Sequence, residues 1–229
     1  MKFVDATEAP PTLNLCLYGP GGTGKTVAAC SAPGPVVVAN AEGPGALRFA
    51  REMYGDKIRE VEVTGAETLD EIYLYLKEGK GKEKTVVIDT VGEVYGAMLA
   101  NFGGARPSLQ NYGDTNTKIE RFVRALRDLP INVVLICHEQ VDDGDGEITR
   151  RPMTGGKKLP EIIVAQMDVV AYTGVIPATD DQPVRYVGQL IEAGGRRAKD
   201  RTGKLGDIRD LDLTDWINTA TNNNGGQSK

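Results

Sequence analysis

The chain has 229 residues, of which 40% are hydrophobic and 26% charged, and it carries a formal net charge of −5. That length can bury a substantial core, and the negative balance excludes a polycation, so any nucleic-acid site has to be a local basic patch. No apolar run approaches the roughly 20 residues of a membrane span, and the N-terminus shows no charged-then-apolar signal segment, so no membrane partner is expected.

Residues 12–18 (TLNLCLY) predict a short apolar strand that runs into a glycine loop. A helix is expected from Gly24, stopping at Pro33-Gly34-Pro35. A second strand, Val36-Val37-Val38-Ala39, ends in Asn40-Ala41-Glu42. Thr64 and Glu67 have capping-box spacing, and Leu69, Ile72, Tyr73 and Leu76 then recur at helical intervals. Thr85–Asp89 is apolar up to its last residue, as a strand buried on both faces should be. Ile119, Phe122, Val123 and Leu126 mark another helix, which leads into a strand over 131–137.

After His138 the texture changes. A polar loop, DDGDGEITRRPMTGGKK, precedes β-like stretches at 168–176 and 184–191 and the basic segment GGRRAKDRTGK. Residues 219–229, low in hydrophobicity, are expected to form a disordered tail after an ordered core of about 10–218. Strands alternating with helices predict an α/β fold over 1–229 as one domain: a mostly parallel central sheet with helices on both faces and a β-rich C-terminal part. Cys16, Cys30 and Cys137 sit inside apolar elements without C-x-x-C spacing. They read as buried reduced thiols, which points to the cytoplasm.

The glycine loop, GPGGTGKT, satisfies two patterns. Gly19, Gly21 and Gly24 fit the dinucleotide motif G-x-G-x-x-G, with Glu42 as its acidic partner; Gly19 and Gly24-Lys25-Thr26 fit the P-loop G-x-x-x-x-G-K-[ST]. Both place a phosphate at a helix N-terminus. Only the second uses Lys25, which reaches the β- and γ-phosphates, and Thr26, whose hydroxyl ligates Mg²⁺. Asp89, closing a buried strand, supplies the carboxylate that a P-loop enzyme needs near that ion and a hydride-transfer enzyme does not. The loop Gly19-Pro20-Gly21-Gly22-Thr23-Gly24-Lys25-Thr26 is therefore read as a nucleoside-triphosphate site for ATP or GTP, with Mg²⁺ as its metal held by Thr26 and Asp89; no base-contacting motif separates the two, and ATP follows from the resemblance below.

Hydrolysis requires a group that orients water. The residue after Asp89 is Thr90, Glu93 would face along its helix, and Glu42 can point across the sheet edge toward the γ-phosphate, so Glu42 is preferred. His138 is the single histidine, at the edge where ligands of open α/β sheets bind.

The order GPGGTGKT, ANAEG, VVIDT, INVVLICHE resembles the RecA-like recombinase and ATPase core. The fuller pattern over roughly 12–205 is similar to compact RecA-like proteins of bacteriophages, a group linked to single-strand annealing. It includes a R-x-x-R-x-L-R-D-L-P helix and a late K-D-R-T-G. The resemblance implies that Glu42 activates water and that His138 senses the γ-phosphate. It further implies that Lys199 and Arg201 complete a neighbouring subunit's site, hence a homo-oligomer. The sequence departs from RecA in showing no separate oligomerisation domain ahead of the core, so subunit contact is expected and a filament is not. The implied setting is strand annealing or recombination in a host cytoplasm, with single-stranded DNA as partner and a single-strand-binding protein as a further one.

Two segments are candidates for the DNA. Arg150, Arg151, Lys157 and Lys158 flank the glycine-bearing stretch PMTGG, where the resembled family carries DNA. The segment 101–115, read as a loop, offers Phe102 and Tyr112 for stacking and Arg106 as a cation. The acidic run 142–147 reads as a solvated hairpin tip, and Arg121, Arg124 and Arg127 as a solvated helix face. Two rivals stand beside the DNA-dependent ATPase: a nucleotide-switched interaction protein without DNA, and a small-molecule kinase, for which no arginine-rich lid is seen.

Overall fold

The computed structural model describes residues 11–79, 81–144, 146–156 and 158–221. Lys157, Asp145 of the acidic run and residues 222–229 of the expected tail lie outside the described residues.

The chain runs β1 (Asn14–Gly19), α1 (Lys25–Ser31), β2 (Val36–Asn40), α2 (Arg48–Tyr54), β3 (Ile58–Glu62), α3 (Ala66–Glu78), β4 (Thr85–Asp89), α4 (Val91–Gly103) and α5 (Leu109–Arg127). It continues with β5 (Asn132–Asp142), β6 (Thr149–Met153), α6 (Leu159–Gln166), β7 (Val169–Ile176), β8 (Arg185–Gln189), β9 (Lys199–Asp200), β10 (Ile208–Asp210) and α7 (Leu213–Thr221). The strands form one sheet in the order β10-β8-β7-β1-β5-β4-β2-β3, with β6 paired to β5 and β9 to β7. From β7 to β3 every neighbour is parallel; β6, β8, β9 and β10 join antiparallel. This is the expected α/β architecture, a parallel centre with a β-rich C-terminal part.

Strand alternation sorts the core into two layers. Cys16 and Tyr18 face one side, with Leu69 and Ile72 of α3, Met98 of α4, Phe122 and Leu126 of α5 and Ile163 of α6. Leu15 and Leu17 face the other, with Ala29 of α1, Ala50 of α2 and Trp216 of α7. The three cysteines are free and buried, and the Sγ atoms of Cys16 and Cys137 lie 4.0 Å apart.

Several local expectations are corrected. The helix after Thr64 starts one residue later than the capping-box spacing implied: Gly65 is the N-cap, and the Thr64 hydroxyl pairs with that of Thr68 instead. Segment 101–115 is no loop. It is the end of α4, a turn and the start of α5, where Ser108 and Asn111 cap each other reciprocally. The strand expected to end at Cys137 runs on to Asp142, because β6 pairs with it and satisfies its backbone groups. Arg150 and Arg151 consequently lie in a strand rather than in a flexible loop. Residues 219–221, assigned to the tail, complete α7, whose Trp216, Ile217 and Ala220 are buried against the sheet. Arg124 pairs with Glu120 one turn back at 2.9 Å, as a solvated face predicts.

Candidate nucleotide site

Parallel pairing brings the C-terminal ends of β1, β5, β4 and β2 to one edge, in register: Gly19 opposite His138, Ile136 opposite Asp89, and Asp89 opposite Asn40. The loop that leaves β1 needs its glycines there. Gly22 and Gly24 have φ of 78° and 79°, in the left-handed region. A Cβ on Gly19 would meet the Thr173 carbonyl and hydroxyl oxygens at 2.7 Å.

A cleft of about 230 Å³ opens at this edge, lined by the glycine loop, Lys25, Thr26, Glu42, Asp89 and His138. Lys25 is buried; its ammonium donates to the carbonyls of Gly19 (3.0 Å) and Pro20 (2.7 Å), lying back across the loop. Burial lowers its pKa, and the carboxylates of Asp89 and Glu42 work against that shift. The Thr26 hydroxyl donates to Asp89 Oδ2 at 2.8 Å, while Asp89 Oδ1 is buried with no hydrogen-bond partner. Burial pushes the Asp89 carboxyl up to about 6, the Thr26 bond opposes this, and Glu42 adds to it.

Glu42 Oε1 lies 3.2 Å from His138 Nε2. The Glu42 backbone N–H donates to Asn40 Oδ1 at 2.9 Å, which sets the direction in which the chain leaves β2. Glu93 is exposed on α4 and does not line the cleft.

Three contributors escaped sequence reading. Thr173 on β7 hydrogen-bonds to the Thr23 hydroxyl (2.6 Å) and to the Tyr18 carbonyl (3.2 Å), which ties the loop to its neighbouring strand. Phe49 of α2, 64% exposed, lines the cleft's rim. Tyr186 of β8 sits against Gly24. No local pattern announces them, because each depends on which strand or helix becomes a neighbour.

Lys199 and Arg201 are not brought to this cleft. Lys199 and Asp200 pair with Val170 and Val169, at the end of the sheet remote from the loop. Arg201 donates to the Ala165 carbonyl at 2.9 Å and faces Asp168.

Residues of both rival DNA segments line one groove of about 710 Å³: Leu109 and Tyr112 from the first, and Arg151, Met153, Gly155, Gly156 and Lys158 from the second. Arg106 is exposed in the turn just before α5, and Phe102 is partly exposed at the end of α4. Arg150 and Arg151 are half-buried and face acids, at 3.5 Å from Glu139 and 3.0 Å from Asp142. Among the described residues no helix is long and apolar enough to cross a membrane, and no group of three or more His, Cys, Asp or Glu residues could hold a metal by itself.

No curated protein matches the sequence at a significant level. Residues 12–202 match the AAA domain, a span that runs from the strand before the glycine loop to just beyond Arg201. With that match covering most of the chain, and with the glycine loop, Lys25, Thr26 and Asp89 at one sheet edge, the chain belongs to the AAA-domain family of P-loop NTPases.

Proposed function

We propose that the protein is a Mg²⁺-dependent ATPase that binds single-stranded DNA and acts in phage-type strand annealing or homologous recombination, as the compact RecA-like proteins it resembles do. The observation that carries the ATPase reading is the convergence of Lys25, Thr26, Asp89, Glu42 and His138 on one cleft from separate elements. Lys25 exchanges the Gly19 and Pro20 carbonyls for the β- and γ-phosphates. Glu42 accepts the proton of the attacking water, with His138 beside it to register the γ-phosphate. Phe49 offers a platform for the base.

The donors fit Mg²⁺: a hydroxyl and a carboxylate, both hard oxygen ligands, with Asp89 Oδ1 left without a partner. When bound, the ion neutralises phosphate charge and orients the triphosphate. Lys199 and Arg201, far from their own cleft, serve a neighbouring copy in a homo-oligomer. The DNA reading draws support from the groove lined by residues of both candidate segments, with Lys158 exposed among them. A single-strand-binding protein is the companion this role calls for.

The ion pairs of Arg150 and Arg151 favour a second reading, a nucleotide-switched interaction ATPase without DNA, because cations already paired are poor phosphate ligands. Steady-state ATP hydrolysis with and without single-stranded DNA, with Lys25→Ala as the blank, separates the two. Stimulation by DNA that is lost in Lys157→Ala/Lys158→Ala supports the first reading. Hydrolysis indifferent to DNA, with no binding at low salt, removes it.

A further inference from the structure

The segment that carries Glu42 away from β2 has little packing to hold it in one shape. Residues 41–45 include Gly45 and Gly43, the latter with φ of 99°. An open hollow of about 370 Å³ lies against them, bordered by Asn40, Gly43 and Pro44. Beyond Ala41, which packs on the core, the direction of the chain depends on hydrogen bonds.

Asn40, only 1% exposed, supplies them. Its Oδ1 accepts the Glu42 backbone N–H at 2.9 Å, and its Nδ2 donates to the Gly43 carbonyl at 2.8 Å. One amide therefore brackets Glu42 on both sides along the chain. An amide turned end for end has nearly the same shape, and the flipped form would set its own N–H groups against that of Glu42. Glu60 opposes the flip. It stands on β3 opposite Val38, and so on the same face of the sheet as Asn40. Its Oε1 accepts from Asn40 Nδ2 at 2.6 Å, and an ionised carboxylate only accepts, so the nitrogen end of the amide has to face β3. The other oxygen, Oε2, takes the guanidinium of Arg51 from α2. Neither Glu60 nor Arg51 lines the nucleotide cleft.

We propose that Glu60 is a positioning residue for hydrolysis: it fixes the Asn40 amide and through it aims the Glu42 carboxylate at the attacking water. Arg51 anchors Glu60, which couples the seating of α2, whose Phe49 borders the cleft, to the direction of Glu42. The inference rests on the ATPase reading above, in which Glu42 accepts the water's proton.

The test is a double-mutant cycle on the full-length protein, read by single-turnover ATP hydrolysis and by affinity for a fluorescent ATP analogue. Glu60→Ala should lower the hydrolysis rate by roughly 10–10²-fold, the loss typical of a misplaced catalytic group, while affinity for the analogue stays at the wild-type level. Glu60→Gln keeps an oxygen for Asn40 and should recover most of that rate. In a Glu42→Gln background, Glu60→Ala should cost nothing further, because no base is left to aim. Glu60 is partly exposed on an edge strand, so Glu60→Ala is expected to fold, and its melting curve checks this. If it does not fold, Asn40→Ala, which removes the amide itself, runs the same cycle with the same outcomes. A loss of equal size in both backgrounds, or as large a loss in Glu60→Gln, overturns the positioning role. Wild-type turnover in Glu60→Ala beside a crippled Glu42→Gln also overturns it and leaves the ATPase reading standing. A Glu42→Gln variant that hydrolyses at nearly the wild-type rate removes both.

Discussion

Replacing Asp89 with asparagine isolates what it costs to hold that carboxylate out of water. Asp89 is fully buried, its Oδ1 has no partner, and burial lifts its pKa from 3.8 to about 6. The folded protein thus binds this proton more tightly than the unfolded chain does, and stability falls as pH rises through the interval from 3.8 to about 6. A shift of that size corresponds to roughly 3 kcal/mol of lost stability once the group is ionised. Asp89→Asn removes the charge and keeps an oxygen for the Thr26 hydroxyl. In the absence of nucleotide and divalent ions, the variant should therefore be more stable than wild type by about 3 kcal/mol at pH 8 and by about half that at pH 5. Urea unfolding at the two pH values measures the difference; in melting temperature it amounts to roughly 6–12 °C at the higher pH. The same variant should lose the protection that Mg·ATP gives wild type. A variant less stable than wild type at pH 8, or a gap that does not widen with pH, would refute the reasoning.

Glu42→Gln should retain binding of a fluorescent ATP analogue while turnover falls by about 10²–10⁴-fold, the range for loss of a general base; a fall of less than tenfold would point to the slow switch. Lys199→Ala/Arg201→Ala and Lys25→Ala should each be inactive alone and regain phosphate release when mixed, since one supplies an intact cleft and the other the intact cations; no recovery rules out shared sites. Trp216→Ala should cost about 3–5 kcal/mol in urea unfolding, because a fully buried ring is removed. The Asp210 carbonyl also loses the donor it holds at 2.7 Å.

The parts of the site that were legible share one property: each is a contiguous run whose chemistry is local. GPGGTGKT announces itself because a phosphate cradle needs glycines and a lysine at fixed offsets, and VVID because a metal-side carboxylate sits at the end of a buried strand. Glu42 is preferred to Glu93 because the end of its strand aims across the sheet edge while Glu93 faces along its helix, and the RecA-like resemblance points to the same residue; the cleft is lined by the first and not the second. Where reading failed, the deciding partner was distant. Asp142 ends a strand rather than a loop only because Thr149–Met153 pairs with its segment. Segment 101–115 is the local exception: its glycines and polar residues mask a helix start that the Ser108–Asn111 cap fixes.

By itself the sequence determined the layered α/β class, the phosphate loop and the acid at the end of β4, because hydrophobic period and motif spacing are local properties. Only the tertiary structure decided that Thr173 clamps the loop, that Phe49 borders the cleft, and that residues of two rival segments line a single groove. It also decided that Lys199 lies at the far end of the sheet from Lys25. The physical reason is strand order: β7, β1, β5 and β4 become neighbours through non-local backbone pairing and shared core, and no short stretch of chain encodes which strand will lie beside which.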